Sequence, residues 1–313
     1  MHLAEGMLPL SQAVLWSGAA VPPLVWSLRG EQRSHRDVGS SSMLMAGVTS
    51  LLFAATLLPL PVPVVGATSH ICLSPVLALV VGVRRILWPT FFVLLLQAVF
   101  FAHGGLTTLG VNALTLGLFG PCITVGLWTM LRKLGADNAI GLAAACGAGG
   151  LGVYIVDALV LSAALADVAN PMTTFTGVLL GFAPVQVPLA VLEAVVSVGI
   201  VRVLAMRRPD MLSASLQRVR KTSISISVAT VLLLSLGLPG CTYEGIDGTV
   251  FGAAAESVGR VPTDSIVDLS QGELGLAMTI IILFGLGFIA GRSWETVLNT
   301  PHVADGEHDA LPR

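Results

Sequence analysis

The chain has 313 residues, 54% of them hydrophobic and only 11% charged, with a formal net charge of −2 and a mean hydropathy of +0.87. So few charges cannot cover the surface of a water-soluble domain of this size, and no basic stripe suggests nucleic acid. The composition instead calls for the lipid bilayer as partner and for an all-α polytopic membrane protein.

In chain order, apolar runs are expected to cross the bilayer at 10–28, 41–60, 71–83 with a short re-entry, 87–102, 108–131, 138–166, 174–205, 222–239 and 273–291. That makes about nine transmembrane helices. With the N-terminus outside and the C-terminus cytoplasmic, 15 of the 16 Lys and Arg residues fall on the cytoplasmic side, and only Arg260 lies outside. No basic stretch precedes the first apolar run, whose first arginine is Arg29, so the start does not read as a cleavable signal. This orientation places His2, His70 and His103 at the outer face and His35, His302 and His308 inside.

The organisation is expected to be a seven-span body over 1–206, a basic cytoplasmic linker over 207–221, a two-span hairpin over 222–295 and a polar tail over 296–313. The outer loop of the hairpin carries Glu244, Asp247, Glu256, Asp264 and Asp268 against Arg260. Its acidity is expected to keep it solvated; collecting cations or controlling access is the alternative.

Met1-His2 offers three nitrogens in one chelating run: a terminal amine, the His2 amide and the His2 imidazole. His70 would supply a fourth. Four nitrogens in a plane suit Ni(II) or Cu(II), and Co(II) less strictly, and match tetrahedral zinc poorly. The four cysteines, Cys72, Cys122, Cys146 and Cys241, form no CxxC pair and imply neither a disulfide framework nor zinc. The only lysines, Lys133 and Lys221, follow arginine rather than glycine, so there is no phosphate-binding GxxxxGK[ST] loop. With no GxSxG or HExxH either, an enzyme or a self-sufficient ATPase is not expected. Two carboxylates, Asp157 and Glu193, fall deep in apolar runs, where they are costly and usually functional or paired. A helix-packing hydrogen bond is expected for Asp157, and helix ordering or conformational coupling for Glu193. The small residues from Ala143 to Gly150 allow a close helix approach, either within the chain or to a coupling subunit.

Four stretches carry a family likeness: Met1 to Pro9; Gly66-Ala67-Thr68-Ser69-His70; His103-Gly104-Gly105-Leu106-Thr107-Thr108-Leu109-Gly110-Val111-Asn112; and Pro188 to Glu193. In order and spacing they resemble the cobalt/nickel substrate-binding components of energy-coupling-factor (ECF) transporters, the CbiM/NikM family, over about residues 1–206. The hairpin looks, more weakly, like a fused CbiN-type partner. The resemblance implies a transport subunit, not an enzyme, that binds Ni(II) or Co(II) as cargo and has no resident cofactor. It also implies the ligands Met1, His2 and His70, with Ser69, His103, Asn112, Gln186 and Glu193 supporting the ligands or their loops. Implied partners are a CbiQ/NikQ-like transmembrane coupling subunit and CbiO/NikO-like cytoplasmic ATPases in a prokaryotic inner membrane. Two departures stand out: Ile71-Cys72-Leu73 replaces the family's usual Pro-Thr-Gly, and Gln186 stands where histidine is common. The alternative from another class is a self-contained channel or secondary transporter, which would need a polar midplane path; only Asp157 and Glu193 mark one.

Overall fold

The computed structural model describes residues 3–34, 40–58, 60–62, 67–166, 169–221, 244–245, 248–261 and 263, with helical pieces at 277–278, 281–282 and 284–289. Helix α1 spans Leu10–Ser34 and α2 Ser40–Leu57. Strands β1 (Leu60–Val62) and β2 (Ala67–Ser69) pair antiparallel, with Leu60 opposite Ser69 and Val62 opposite Ala67. Then come α3 (Ser74–Val81), α4 (Val83–Phe100), α5 (Leu109–Leu114) and α6 (Gly120–Lys133). A π-helical turn, Thr115–Phe119, joins α5 to α6, so the two form one rod.

Helices α7 (Ala139–Ala164) and α8 (Pro171–Arg207) complete the bundle. Each begins at an asparagine whose side chain accepts from backbone N–H groups of the first turn: Asn138 from Ile140 and Gly141, Asn170 from Met172 and Thr173. At 37 residues, α8 is about 55 Å long, well beyond the ~30 Å hydrocarbon core.

Among the described residues, four helices are long and apolar enough to cross a membrane: Val83–Phe100, Leu109–Lys133, Ala139–Ala164 and Pro171–Arg207. They match the expected spans at 87–102, 108–131, 138–166 and 174–205. The span expected at 71–83 is corrected: α3 has 8 residues, about 12 Å, too short to cross, and Gly82 at φ 93° breaks it from α4. Helices α1 and α2 occupy the expected 10–28 and 41–60 but fall short of the other four in continuous apolar length, α2 contributing Leu44–Leu57. The expected span at 222–239 lies outside the described residues, as do nine of the 19 residues of the one at 273–291.

Two further features amend the sequence reading. The fold is all-α, as expected, but one small sheet was not foreseen: β3 (Glu244–Gly245) pairs in parallel with β2, Ala67 opposite Glu244, in the order β1-β2-β3. Nor is the described part of the acidic loop a free solvated excursion. Phe251 is fully buried and packs edge-on against Phe182 of α8, with ring centroids 4.5 Å apart. Ala255, in α9 (Ala253–Glu256), is fully buried as well, and the Thr263 N–H donates to the Glu5 carbonyl at 3.1 Å.

The core divides into two clusters. One gathers α2, α3 and the ends of α7 and α8 around Leu52, Phe53, Val76 and Val201. The other gathers Leu3, Met7, Cys72, Tyr154, Phe182 and Phe251, so the segment from Leu3, the turn after His70 and the 250–258 segment share one interior. The small-residue stretch serves packing within this chain: a Cβ on Gly149 would strike Thr124 of α6, and one on Gly150 would lie 2.6 Å from Glu193 Oε2.

Candidate metal centre

The site is built from two supports. The first is the His103–Asn112 stretch, which cradles the start of the chain. After α4 the backbone reverses through Ala102 (φ 47°) and Gly104 (φ 86°), and the His103 N–H returns to the Gln97 carbonyl at 3.1 Å. Gly105 then meets the backbone of Glu5 so closely that an added Cβ would sit 2.6 Å from the Glu5 nitrogen. Only glycine allows that approach. The Glu5 carboxylate accepts from the Leu106 N–H at 2.7 Å, from the Thr107 N–H at 3.3 Å and from the Thr107 hydroxyl. One turn on, Asn112 Oδ1 accepts from the Leu3 N–H at 3.0 Å and Asn112 Nδ2 donates to the Leu3 carbonyl at 3.0 Å. The Thr108 hydroxyl donates to the same carbonyl at 2.5 Å. Leu3 is fully buried, so these bonds satisfy backbone groups that water cannot reach.

The second support holds the loop of His70. Upstream, Ser69 belongs to β2, and its hydroxyl accepts from Gln186 Nε2 at 3.0 Å and lies 3.4 Å from the Tyr154 hydroxyl. Downstream, the segment Ile71-Cys72-Leu73 turns into α3 with Leu73 in the left-handed region (φ 52°), and its N–H donates to Glu193 Oε1 at 2.9 Å. Gln186 and Glu193 are seven residues apart on α8 and therefore share one helix face.

Between the supports, the rings of His70 and His103 meet edge to face with centroids 5.5 Å apart. Burial lowers both pKa values, that of His103 to about 4, so both imidazoles are neutral at pH 7. A neutral ring is the form that ligates a metal. Among the described residues, no three His, Cys, Asp or Glu side chains gather as a metal site.

Of the residues singled out from sequence, the structure brings together His70, His103, Ser69 and Gln186, joins Asn112 to Leu3, and sets Glu193 under the His70 turn. Met1 and His2 lie outside the described residues. Asp157 is fully buried, with the side chain of Thr115 as its polar neighbour. Sequence reasoning assigned no role to Glu5, Thr108 or Tyr154. The signal for Tyr154 was present, since a tyrosine inside an apolar helix needs a partner for its hydroxyl.

A family model described as the cobalt uptake substrate-specific transmembrane region, CbiM, matches residues 2–211. The chain belongs to the CbiM family. It is thus a multi-pass membrane component from a family of metal transporters. The cobalt transport protein CbiM of Geobacter sulfurreducens is 32% identical over 95% of this chain and 90% of its own length. The Sorangium cellulosum protein of the same description is 34% identical over 68% of this chain and 94% of its own length. Two crystal structures share the fold. A truncated transition metal transporter aligns with a TM-score of 0.50 at 21% identity, over 66% of this chain and 98% of that one. A second transition metal transporter aligns with 0.51 at 20% identity, over 67% and 96%.

Proposed function

We propose that this CbiM-family chain captures Co(II) or Ni(II) at the outer face of a prokaryotic inner membrane. The ligands are the amine of Met1, the amide and imidazole of His2, and the imidazole of His70. The ion then passes inward in an ECF-type assembly, driven by a transmembrane coupling subunit and cytoplasmic ATPase subunits. The names of the relatives favour cobalt. An N-terminus outside the membrane belongs to the same reading.

The observation that supports it most is the double hold of Asn112 on the Leu3 backbone. Two residues reach at most about 7 Å, so an anchored Leu3 keeps the chain start within a short, fixed radius. Leu3 and Cys72, the latter two residues from His70, belong to one buried cluster. The paired neutral imidazoles and the donor-rich cradle that fixes Leu3 and Glu5 suit a chelate better than an open cation path.

Because amide and amine must lose protons to ligate, metal binding releases protons and affinity falls as pH drops. Acetylating the Met1 amine removes one of the four nitrogens, and nickel binding to the purified chain is then expected to vanish. An unchanged nickel affinity in that protein overturns the reading; intact-mass measurement of the parent protein checks that its Met1 amine is unblocked.

A further inference from the structure

We infer that Glu193 is a positioning residue for the proposed ligand His70, acting through the backbone of the turn that follows it. The inference rests on His70 being a ligand, and it explains how a helix far along the chain sets where that ring sits.

The turn is held in a conformation its sequence does not favour. Leu73 lies at φ 52° and ψ −14°, in the left-handed region that a side chain disfavours and glycine adopts readily. A leucine keeps such a conformation only where its surroundings enforce it. A carboxylate supplies that enforcement. Glu193 Oε1 accepts from the Leu73 N–H at 2.9 Å, and the N–H and thiol of Cys72 bond to the same carboxylate. All of these donors come from residues within three positions of His70.

The bundle makes room for this carboxylate in particular. Glu193 is 2% exposed, and Oε2 lies against Gly150 of α7, where a Cβ would come within 2.6 Å of it. Any larger residue at 150 would push the carboxylate off the turn. A carboxylate inside a membrane bundle is expensive unless donors surround it, and here those donors are the turn itself. On the other side of His70, Gln186 of the same helix face holds Ser69 at 3.0 Å. Helix α8 therefore holds both flanks of His70, upstream through the Ser69 side chain and downstream through the Leu73 backbone, and the downstream grip opposes the intrinsic preference of Leu73.

The test uses the purified full-length chain in detergent with Ni(II) and Cu(II) as probes. Affinity comes from calorimetry, and the number of nitrogen ligands from the Cu(II) electron paramagnetic resonance spectrum. The expected result for E193A is a loss of about 10–100-fold in nickel affinity, the range seen when a supporting partner of a metal ligand is removed. Its Cu(II) spectrum should move from four nitrogens toward the three-nitrogen set of H70A. E193Q keeps an acceptor for the Leu73 N–H and should restore the four-nitrogen spectrum. L73G, which makes the turn conformation inexpensive, should rescue E193A.

G150A, which displaces the carboxylate without deleting it, carries the test if E193A does not accumulate; its loss should likewise be rescued by L73G. A four-nitrogen spectrum and wild-type affinity in E193A or G150A overturn the inference, and so does a loss that L73G leaves unrepaired. If H70A itself binds like the wild type, it is the ligand assignment of His70 that fails.

Discussion

The two supports of the candidate site achieve the same end by different means. The chain start is held by one continuous stretch of ten residues, His103 to Asn112, in which nearly every position has a separate task. Gly104 turns the chain, Gly105 lets Glu5 approach, Leu106 and Thr107 bind the Glu5 carboxylate, and Thr108 and Asn112 hold the backbone of Leu3. The His70 loop is held by residues scattered over the chain: a β-pairing to 60–62 and 244–245, Tyr154 of α7, and Gln186 and Glu193 of α8. A support concentrated in one stretch should fail sharply at single positions, whereas the distributed one should lose function in smaller steps where its contacts are duplicated, as at Ser69.

The largest expected effect marks where the two supports converge. H70A removes one proposed ligand of four, and nickel affinity should fall at least about 100-fold, some 2.7 kcal/mol. H103A removes the neighbouring ring 5.5 Å away without removing a ligand and should cost less than about tenfold. Equal losses in calorimetry would mean that His103, too, touches the ion.

Next come breaks in the continuous support. N112A leaves the buried Leu3 N–H without its acceptor, a loss of about 1–3 kcal/mol that should appear both in thermal unfolding and in nickel affinity. N112D keeps an acceptor for that N–H but loses the donor to the Leu3 carbonyl, and should fall between N112A and the wild type. G105A forces a methyl group to within 2.6 Å of the Glu5 nitrogen, where backbone rather than a flexible side chain must yield. Overpacking of this kind costs about 1–3 kcal/mol. Gly126 of α6 is the control, because a Cβ there meets nothing within 4 Å. G126A should be neutral or stabilising by up to about 1 kcal/mol. If both alanines behave alike in melting and metal binding, close approach is not what position 105 requires.

The same contrast explains what was legible in the sequence. The four long apolar helices could be read from composition and length alone, because the bilayer sets both. The His-Gly-Gly-Leu-Thr-Thr-Leu-Gly run could be singled out because its tasks are contiguous. The short α3 was mistaken for a span because its apolar run continues through Gly82 into α4, and nothing in hydropathy marks a glycine at φ 93° as a break. The small sheet escaped notice because β3 is two residues long and pairs with a strand some 175 positions earlier. The grip of Glu193 on Leu73 was hidden for a related reason. A buried carboxylate announces that it needs donors, but not that those donors are the backbone of a turn 120 residues away.

The smallest effect tests whether the distributed support shares its load. Ser69 has two polar neighbours, Gln186 Nε2 at 3.0 Å and the Tyr154 hydroxyl at 3.4 Å, and both belong to buried side chains. Q186A removes the shorter bond and leaves Ser69 a second partner. One neutral hydrogen bond contributes about 1 kcal/mol, so nickel affinity should fall only about fivefold, with the Cu(II) spectrum unchanged. Y154F removes the longer contact and should cost still less. The double variant leaves the Ser69 hydroxyl buried with neither partner, and its loss should exceed the sum of the two single ones. Strict additivity in that cycle would show that Gln186 and Tyr154 act independently, and that the upstream flank of His70 is held by its β-pairing alone.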